Sequence, residues 1–175
     1  MLVGLDTQLA REWLSEREEG ILPDLIGINL QSDDICVDLI EVKTGGGDFR
    51  ICDGKIFGHA VEQVCVLDNL IKEIFGRSEK ITTVSRREIL RHHVFESLYN
   101  AEITNTEKHN LTEKLNQLFA GELDLKIKKN IVFVDFNSAD TTSEILEAGD
   151  SLIGNKIIFT KIGSSVIQKI LSGIE

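Results

Sequence analysis

An α/β fold, a mixed sheet flanked by helices, is what the sequence predicts, and three observations carry that expectation. Two short β-rich runs, "PDLIGINL" (23–30) and "ICVDLIEVK" (35–43), lie on either side of the polar turn "QSDD". A long amphipathic stretch, "GHAVEQVCVLDNLIKEIFG" (58–76), follows and stops at a glycine. Beyond it, strand-like and helix-like runs alternate toward the C-terminus, the pattern of helices laid on a sheet.

Taken in order, residues 5–19 read as a helix, with Leu5, Leu9 and Trp13 at i, i+4 spacing and Asp6 or Thr7 as its cap. The two β-rich runs come next, then the 58–76 helix. Two further helical patterns cover 85–100 and about 104–120. A strand "NIVFVDF" (130–136), a helix near 141–148, a strand "NKIIFTKI" (155–162) and a last helix near 164–172 complete the chain. The 175 residues suit one domain with a real core better than two.

Composition narrows the function classes. With 29 acids against 19 bases the net charge is −10, so the bulk field repels nucleic acid. Any nucleic-acid function must then rest on a local basic patch, a divalent metal or a partner that supplies the grip. No apolar run approaches the roughly 20 residues of a membrane-spanning helix, and "MLVGLDTQLAREWL" lacks the basic-then-apolar order of a signal peptide. Cys36, Cys52 and Cys65 are odd in number and have no metal-site spacing, which reads as reduced thiols in a cytoplasmic protein. His92 and His93 point about 100° apart on a helix, a surface pair rather than a shared metal site.

The chemistry gathers around "LIEVKTGGG" (39–47). If the two early strands form a hairpin closing on Ser32 and Asp33, paired residues have numbers that sum to 65. Asp24 then faces Glu41, and alternation puts Lys43 on the same face. Two carboxylates and an ammonium converge at the open end of the hairpin, beside flexible glycines. A one-residue slip would move Asp24 to the other face and undo the cluster. Carboxylates this close repel unless something positive sits between them. Mg²⁺ does so with one or two carboxylates while accepting phosphate oxygens, and Lys43 could orient a water or offset charge on a phosphate. The plain alternative is a cross-strand ion pair, because an E-x-K tripeptide alone is common. Asp38 alternates to the opposite face and is left out.

Two helices add polar groups aimed at the sheet. Wound at about 100° per residue, the first sets Glu16 inside its apolar arc and Glu12 at the margin. In the 58–76 stretch Gln63 falls within the arc of Ala60, Val64, Leu67, Leu70, Ile71 and Ile74. Such groups need partners. Arg86, Arg87 and Arg91 in "SRREILR" are the best local candidates for phosphate-backbone contacts, although a solvated face would write the same letters. "GSS" at 163–165 opens the last helix, where ordinary capping is the simpler reading than anion binding.

"PD", sixteen residues, then "EVK" resembles the PD-(D/E)XK nuclease superfamily, with Pro23–Asp24 as the PD and Glu41–Val42–Lys43 as the E-x-K. The resemblance covers residues 1 to about 76 as a motif core, leaving 77–175 as a helical and β/α extension of one nuclease-like domain. It implies a restriction-endonuclease-like mixed central sheet and Mg²⁺- or Mn²⁺-dependent cleavage of DNA or RNA phosphodiester bonds. It further implies Asp24, Glu41 and the Val42 carbonyl as metal ligands, with Lys43 assisting the water. Glu12 or Glu16 would be the first-helix acid and Gln63 the helix glutamine. The RecB-like Q-x-x-x-Y pattern is incomplete, since Leu67 occupies the tyrosine position. More loosely, "VSRREILRHHVFESLYN" is similar to nuclease modules of bacterial defence ATPases, including phosphorothioation-dependent restriction systems. That likeness implies a restriction or antiviral-defence role, an excised module of a larger protein, and an ATPase or helicase partner that delivers DNA; a homo-oligomer is compatible with it. The alternatives are a catalytically inactive nuclease-like binding or scaffold module, and a small-molecule-binding α/β domain with its pocket between 137–140 and 163–165.

Overall fold

The computed structural model describes residues 2–4, 24–31, 34–44, 49–76, 80–149, 152 and 154–173. Eight strands among them form one mixed sheet: β1 (Leu2–Gly4), β2 (Leu25–Gln31), β3 (Asp34–Lys43), β4 (Arg50–Cys52), β5 (Lys55–Phe57), β6 (Leu125–Asp135), β7 (Thr142–Ala148) and β8 (Lys156–Gly163). Four helices accompany it: α1 (His59–Phe75), α2 (Ile81–Asn100), α3 (Asn105–Phe119) and α4 (Ser164–Ser172). The α/β class read from the sequence therefore holds. The strand order is β1-β2-β3-β6-β8-β7-β5-β4, with β6 parallel to both β3 and β8, so strands from 1–76 and from 77–175 share one sheet. No helix of the described residues is long and apolar enough to cross a membrane.

The hairpin of β2 and β3 has the register that the turn chemistry predicts. Leu25 pairs with Ile40, Ile26 with Leu39 and Ile28 with Val37. That places Ile26, Ile28, Val37 and Leu39 on one face, all buried. They pack with Leu67 and Ile71 of α1, Leu90 and Val94 of α2, and Leu115 of α3 in one apolar cluster. A second cluster joins Ala60, Val61 and Val64 of α1 to Ile131, Ile157 and Phe159 of the neighbouring strands. The stripe that α1 shows in sequence is thus its contact with the sheet. Helix α3 begins at a capping box in which Thr104 and Glu107 satisfy each other's backbone N–H.

Residues 141–148, expected to be a helix, form the strand Thr142–Ala148 instead. Glu, Leu and Ala favour a helix weakly, but β7 is held on both sides, by β8 antiparallel and by β5 parallel. Its burial has period two, with Leu146 and Ala148 inside and Glu147 outside, and Ile145 is 69% exposed. Tertiary pairing outweighs propensity here. The expected strand 130–136 starts earlier, at Leu125, because "LKIKK" extends the ladder against β3. The hairpin of β4 and β5 was not expected. It turns on Asp53 (φ 51°) and Gly54 (φ 71°), the Asp-Gly signature of a type I′ turn. Flanking runs of three residues each are too short to announce it.

The loop after β6 is seated on the start of α4. Ser164 N–H donates to the Ser138 carbonyl (2.7 Å) and Gly163 N–H to Thr141 Oγ1 (3.1 Å). A Cβ at Gly163 would come within 2.5 Å of the Ala139 carbonyl oxygen. Gly163→Ala is therefore expected to destabilise the fold by about 1–3 kcal/mol, read as a lower denaturation midpoint. An unchanged midpoint would mean that the loop does not sit on this helix.

Candidate active site

Asp24 stands one residue beyond the last β2–β3 ladder pair, Leu25 with Ile40, so the same register continues to Asp24 beside Glu41. Instead of another backbone pair, the Asp24 carboxylate takes over: its Oδ2 accepts from the Val42 N–H at 2.8 Å. In an extended strand a residue's N–H and C=O point to the same side, so the Val42 carbonyl is turned toward Asp24 as well. Asp24 is exposed and anchored through one oxygen.

Glu41 is the reverse case. It is only 1% exposed, on the same face as Leu39, and it pairs along the sheet with Ile131 of the apolar cluster under α1. Its Oε1 meets Lys43 Nζ at 2.6 Å, and Lys43 is 17% exposed. The other oxygen, Oε2, is buried with no hydrogen-bond partner among the described residues. Burial pushes the Glu41 carboxyl above its ordinary range, and the negative charge of Asp24 adds to the rise. Lys43 and, to a lesser degree, the Asp24 backbone N–H oppose both without cancelling them. An orphaned carboxylate oxygen in an apolar surround is costly unless a donor or cation meets it.

That orphan is the test of whether a cation fits. Two carboxylates in register, one with a buried oxygen that has no partner, and a backbone carbonyl turned the same way offer oxygen donors of the type Mg²⁺ or Mn²⁺ takes. No group of three or more His, Cys, Asp or Glu side chains gathers among the described residues, however. The site lies at the carboxyl end of β3, where parallel sheets usually receive ligands.

Gln63 is buried on the sheet side of α1, in the same turn as Ala60 and Val64, which belong to the apolar cluster of Ile131. The arc derived from its spacing is the face it occupies. Glu12, Glu16 and Gly45–Gly47 lie outside the described residues. Among the arginines, Arg87 points its donors at the end of α1, Nε to the Ile74 carbonyl (2.7 Å) and Nη2 to the Gly76 carbonyl (2.9 Å). Arg91 donates to Asn116 Oδ1 at 3.3 Å and stands over Phe95, and Arg86 is half-buried. Asp38 accepts from Asn29 and Asn130 on the opposite face of β3, consistent with leaving it out.

The segments 137–141 and 163–165 bond directly to one another, so the Gly163 and Ser164 N–H groups at the start of α4 are already engaged. Cavities of about 370 and 240 Å³ open elsewhere, around Phe75, Gly76 and Leu125. Leu125 pairs with Ile35, so these cavities lie at the other end of the β3–β6 pair from the acids.

Three ion pairs, on two carboxylates, escaped sequence reasoning. Buried Asp68 of α1 accepts from Lys129 of β6 (2.7 Å) and from Lys72 (2.9 Å). Asp135, at the end of β6, accepts from Lys161 of β8 at 2.9 Å. Winding α1 would have set Asp68 one turn from Val64, beyond the apolar arc on the side away from Gln63, but no local pattern names a partner 61 residues away. Compared with protein-family models, with curated proteins and with solved structures, the chain matches none.

Proposed function

We propose that the chain is a metal-dependent nuclease that hydrolyses phosphodiester bonds, with DNA as the first substrate to test. One observation carries this reading: the β2–β3 register brings Asp24 beside a buried Glu41 that bonds Lys43 with one oxygen and leaves the other without a partner among the described residues. Asp24 and Glu41, with the Val42 carbonyl, would hold Mg²⁺ or Mn²⁺. When bound, that cation lowers the pKa of its water and offsets charge on the phosphate. Lys43 keeps its ammonium at the rim of the same site, where it can orient the attacking water or stabilise the phosphate oxygens. Gln63, buried on the sheet side of α1, and Glu12 or Glu16 would add further polar groups.

A restriction or defence setting, with an ATPase or helicase that delivers DNA, accounts for activity in a chain of net charge −10. Incubation of linear and supercoiled DNA with Mg²⁺ or Mn²⁺ tests the reading directly. Cutting that survives in both Glu41→Ala and Lys43→Ala would rule out this site. The rival reading, an inert binding module built on the same acids, predicts calorimetric metal binding without turnover, or no metal binding at all.

A further inference from the structure

Because β6 runs parallel to both β3 and β8, the carboxyl ends of three strands meet at one end of the sheet. Register then sets residues far apart in sequence into one row. Lys43 pairs with Phe133, Phe133 with Lys161 and Lys161 with Thr142. Neighbours in a row point to the same face, so Lys43 and Lys161 flank Phe133 on the face that carries Glu41. Two strand spacings of about 4.8 Å separate the lysine backbones by roughly 10 Å.

Lys161 is held in place by a short ion pair. Its Nζ donates to Asp135 Oδ2 at 2.9 Å, and it remains 27% exposed. Asp135 is itself fixed, because its Oδ1 accepts the Asn137 N–H at 3.0 Å. The bond from Lys161 comes first, and that from Asn137 next, in holding the Asp135 carboxyl below its ordinary range. One of the three ammonium N–H groups is engaged, and no further partner of Lys161 is found among the described residues. The pair is partly exposed, 27% and 19%, and contributes modestly to stability. Half-buried Phe133 stands between the two lysines, packed edge-on against Phe49 at 5.2 Å. A lysine, an aromatic ring and a second lysine in one row suit a polyanion whose phosphates meet ammoniums and whose bases or sugars meet a ring.

We infer that Lys161, oriented by Asp135, is a second phosphate-backbone contact of this site, gripping a phosphodiester next to the one that Glu41 and Lys43 would serve. The inference rests on the nuclease reading, and it adds a local basic contact to a chain of net charge −10. Asp135 is a positioning residue, since it acts through Lys161.

The test compares wild type, Lys161→Met and Lys161→Arg, using a fluorescent DNA oligonucleotide. Binding is followed by anisotropy without divalent cation over a salt series, and cleavage kinetics are followed with Mg²⁺ or Mn²⁺. Lys161→Met keeps the aliphatic stem, and a thermal melt matching wild type shows that it folds. Expected is a rise of about tenfold in KM and Kd, with kcat within about twofold. The salt slope of log K should fall by nearly one, and Lys161→Arg should restore binding. If wild type cuts while Lys161→Met leaves KM and the salt slope unchanged, the inference is overturned and the nuclease reading stands. A loss confined to kcat overturns it equally, because a grip acts on binding. If wild type binds but does not cut, a flatter slope in Lys161→Met upholds the grip while the nuclease reading falls. Wild type that neither binds nor cuts overturns both.

Discussion

Lys43→Ala is expected to lower Mg²⁺- or Mn²⁺-supported cleavage by about 10²–10⁴-fold, the range over which a positioned proton-transfer or charge-stabilising group acts. The single variant also leaves buried Glu41 without its partner and should lower stability, so a thermal melt accompanies the assay. A sharper form of the experiment replaces the pair. Glu41 is buried, its Oε2 has no partner among the described residues, and its carboxyl is raised by burial. Exchange of a buried ion pair for apolar residues of similar size is often neutral or stabilising by about 1–4 kcal/mol. Glu41→Met with Lys43→Leu should therefore melt at or above the wild-type temperature while cutting nothing. A double variant that melts well below wild type would show that the pair serves stability rather than chemistry.

The pH dependence follows from the same carboxyl. A carboxyl whose folded pKa is raised binds its proton more tightly in the folded chain than in the unfolded one. Its contribution to stability therefore improves as pH falls through the raised value and worsens as pH rises past it. Metal binding has the opposite preference, since the ligand must be ionised. Apparent affinity for Mg²⁺, measured by calorimetry, should weaken as pH is lowered toward the raised Glu41 value.

Asp68→Ala should have the largest effect on stability, about 3–5 kcal/mol. Asp68 is 2% exposed and receives both Lys129, 11% exposed, and Lys72, 59% exposed, on one oxygen. Without it, the Lys129 ammonium is left inside with no counter-charge among the described residues. The Lys72 partnership is exposed at one end and adds little. Lys129 pairs with Leu39 on the sheet, one same-face step from Ile131, the partner of Glu41. The ion pair therefore clamps α1 to β6 beside the candidate site. Asp68→Leu with Lys129→Met should recover most of the loss in a urea titration, because both charges leave together. Failure of the double variant to recover would mean that the cost of Asp68→Ala lies elsewhere.

How much of this was legible depended on sequence distance. The β2–β3 register could be counted from the letters because the turn between the strands is short and polar and both strands alternate. One number relation then puts Asp24 beside Glu41. The inward face of α1 was legible for a similar reason, a helical period over a long apolar stripe. Residues 142–148 were misread because their letters are ambiguous and one flanking strand, β5, comes from a distant part of the chain. Asp135 and Lys161 drew no attention, since neither is unusual in its own run.

Local periodicity and turn chemistry, both properties of near neighbours, therefore determined the α/β class, the hairpin, the helix faces and the triad of Asp24, Glu41 and Lys43. Strand order was decided only by the folded sheet. The chain leaves β3 for the far edge and returns beside it as β6, some 80 residues later. That return buries Glu41 against Ile131, gives Lys129 its Asp68, and sets Lys161 in the row of Lys43. Burial and cross-strand register belong to residues distant in sequence, and folding brings them together because the apolar faces of α1 and of the sheet must cover one another.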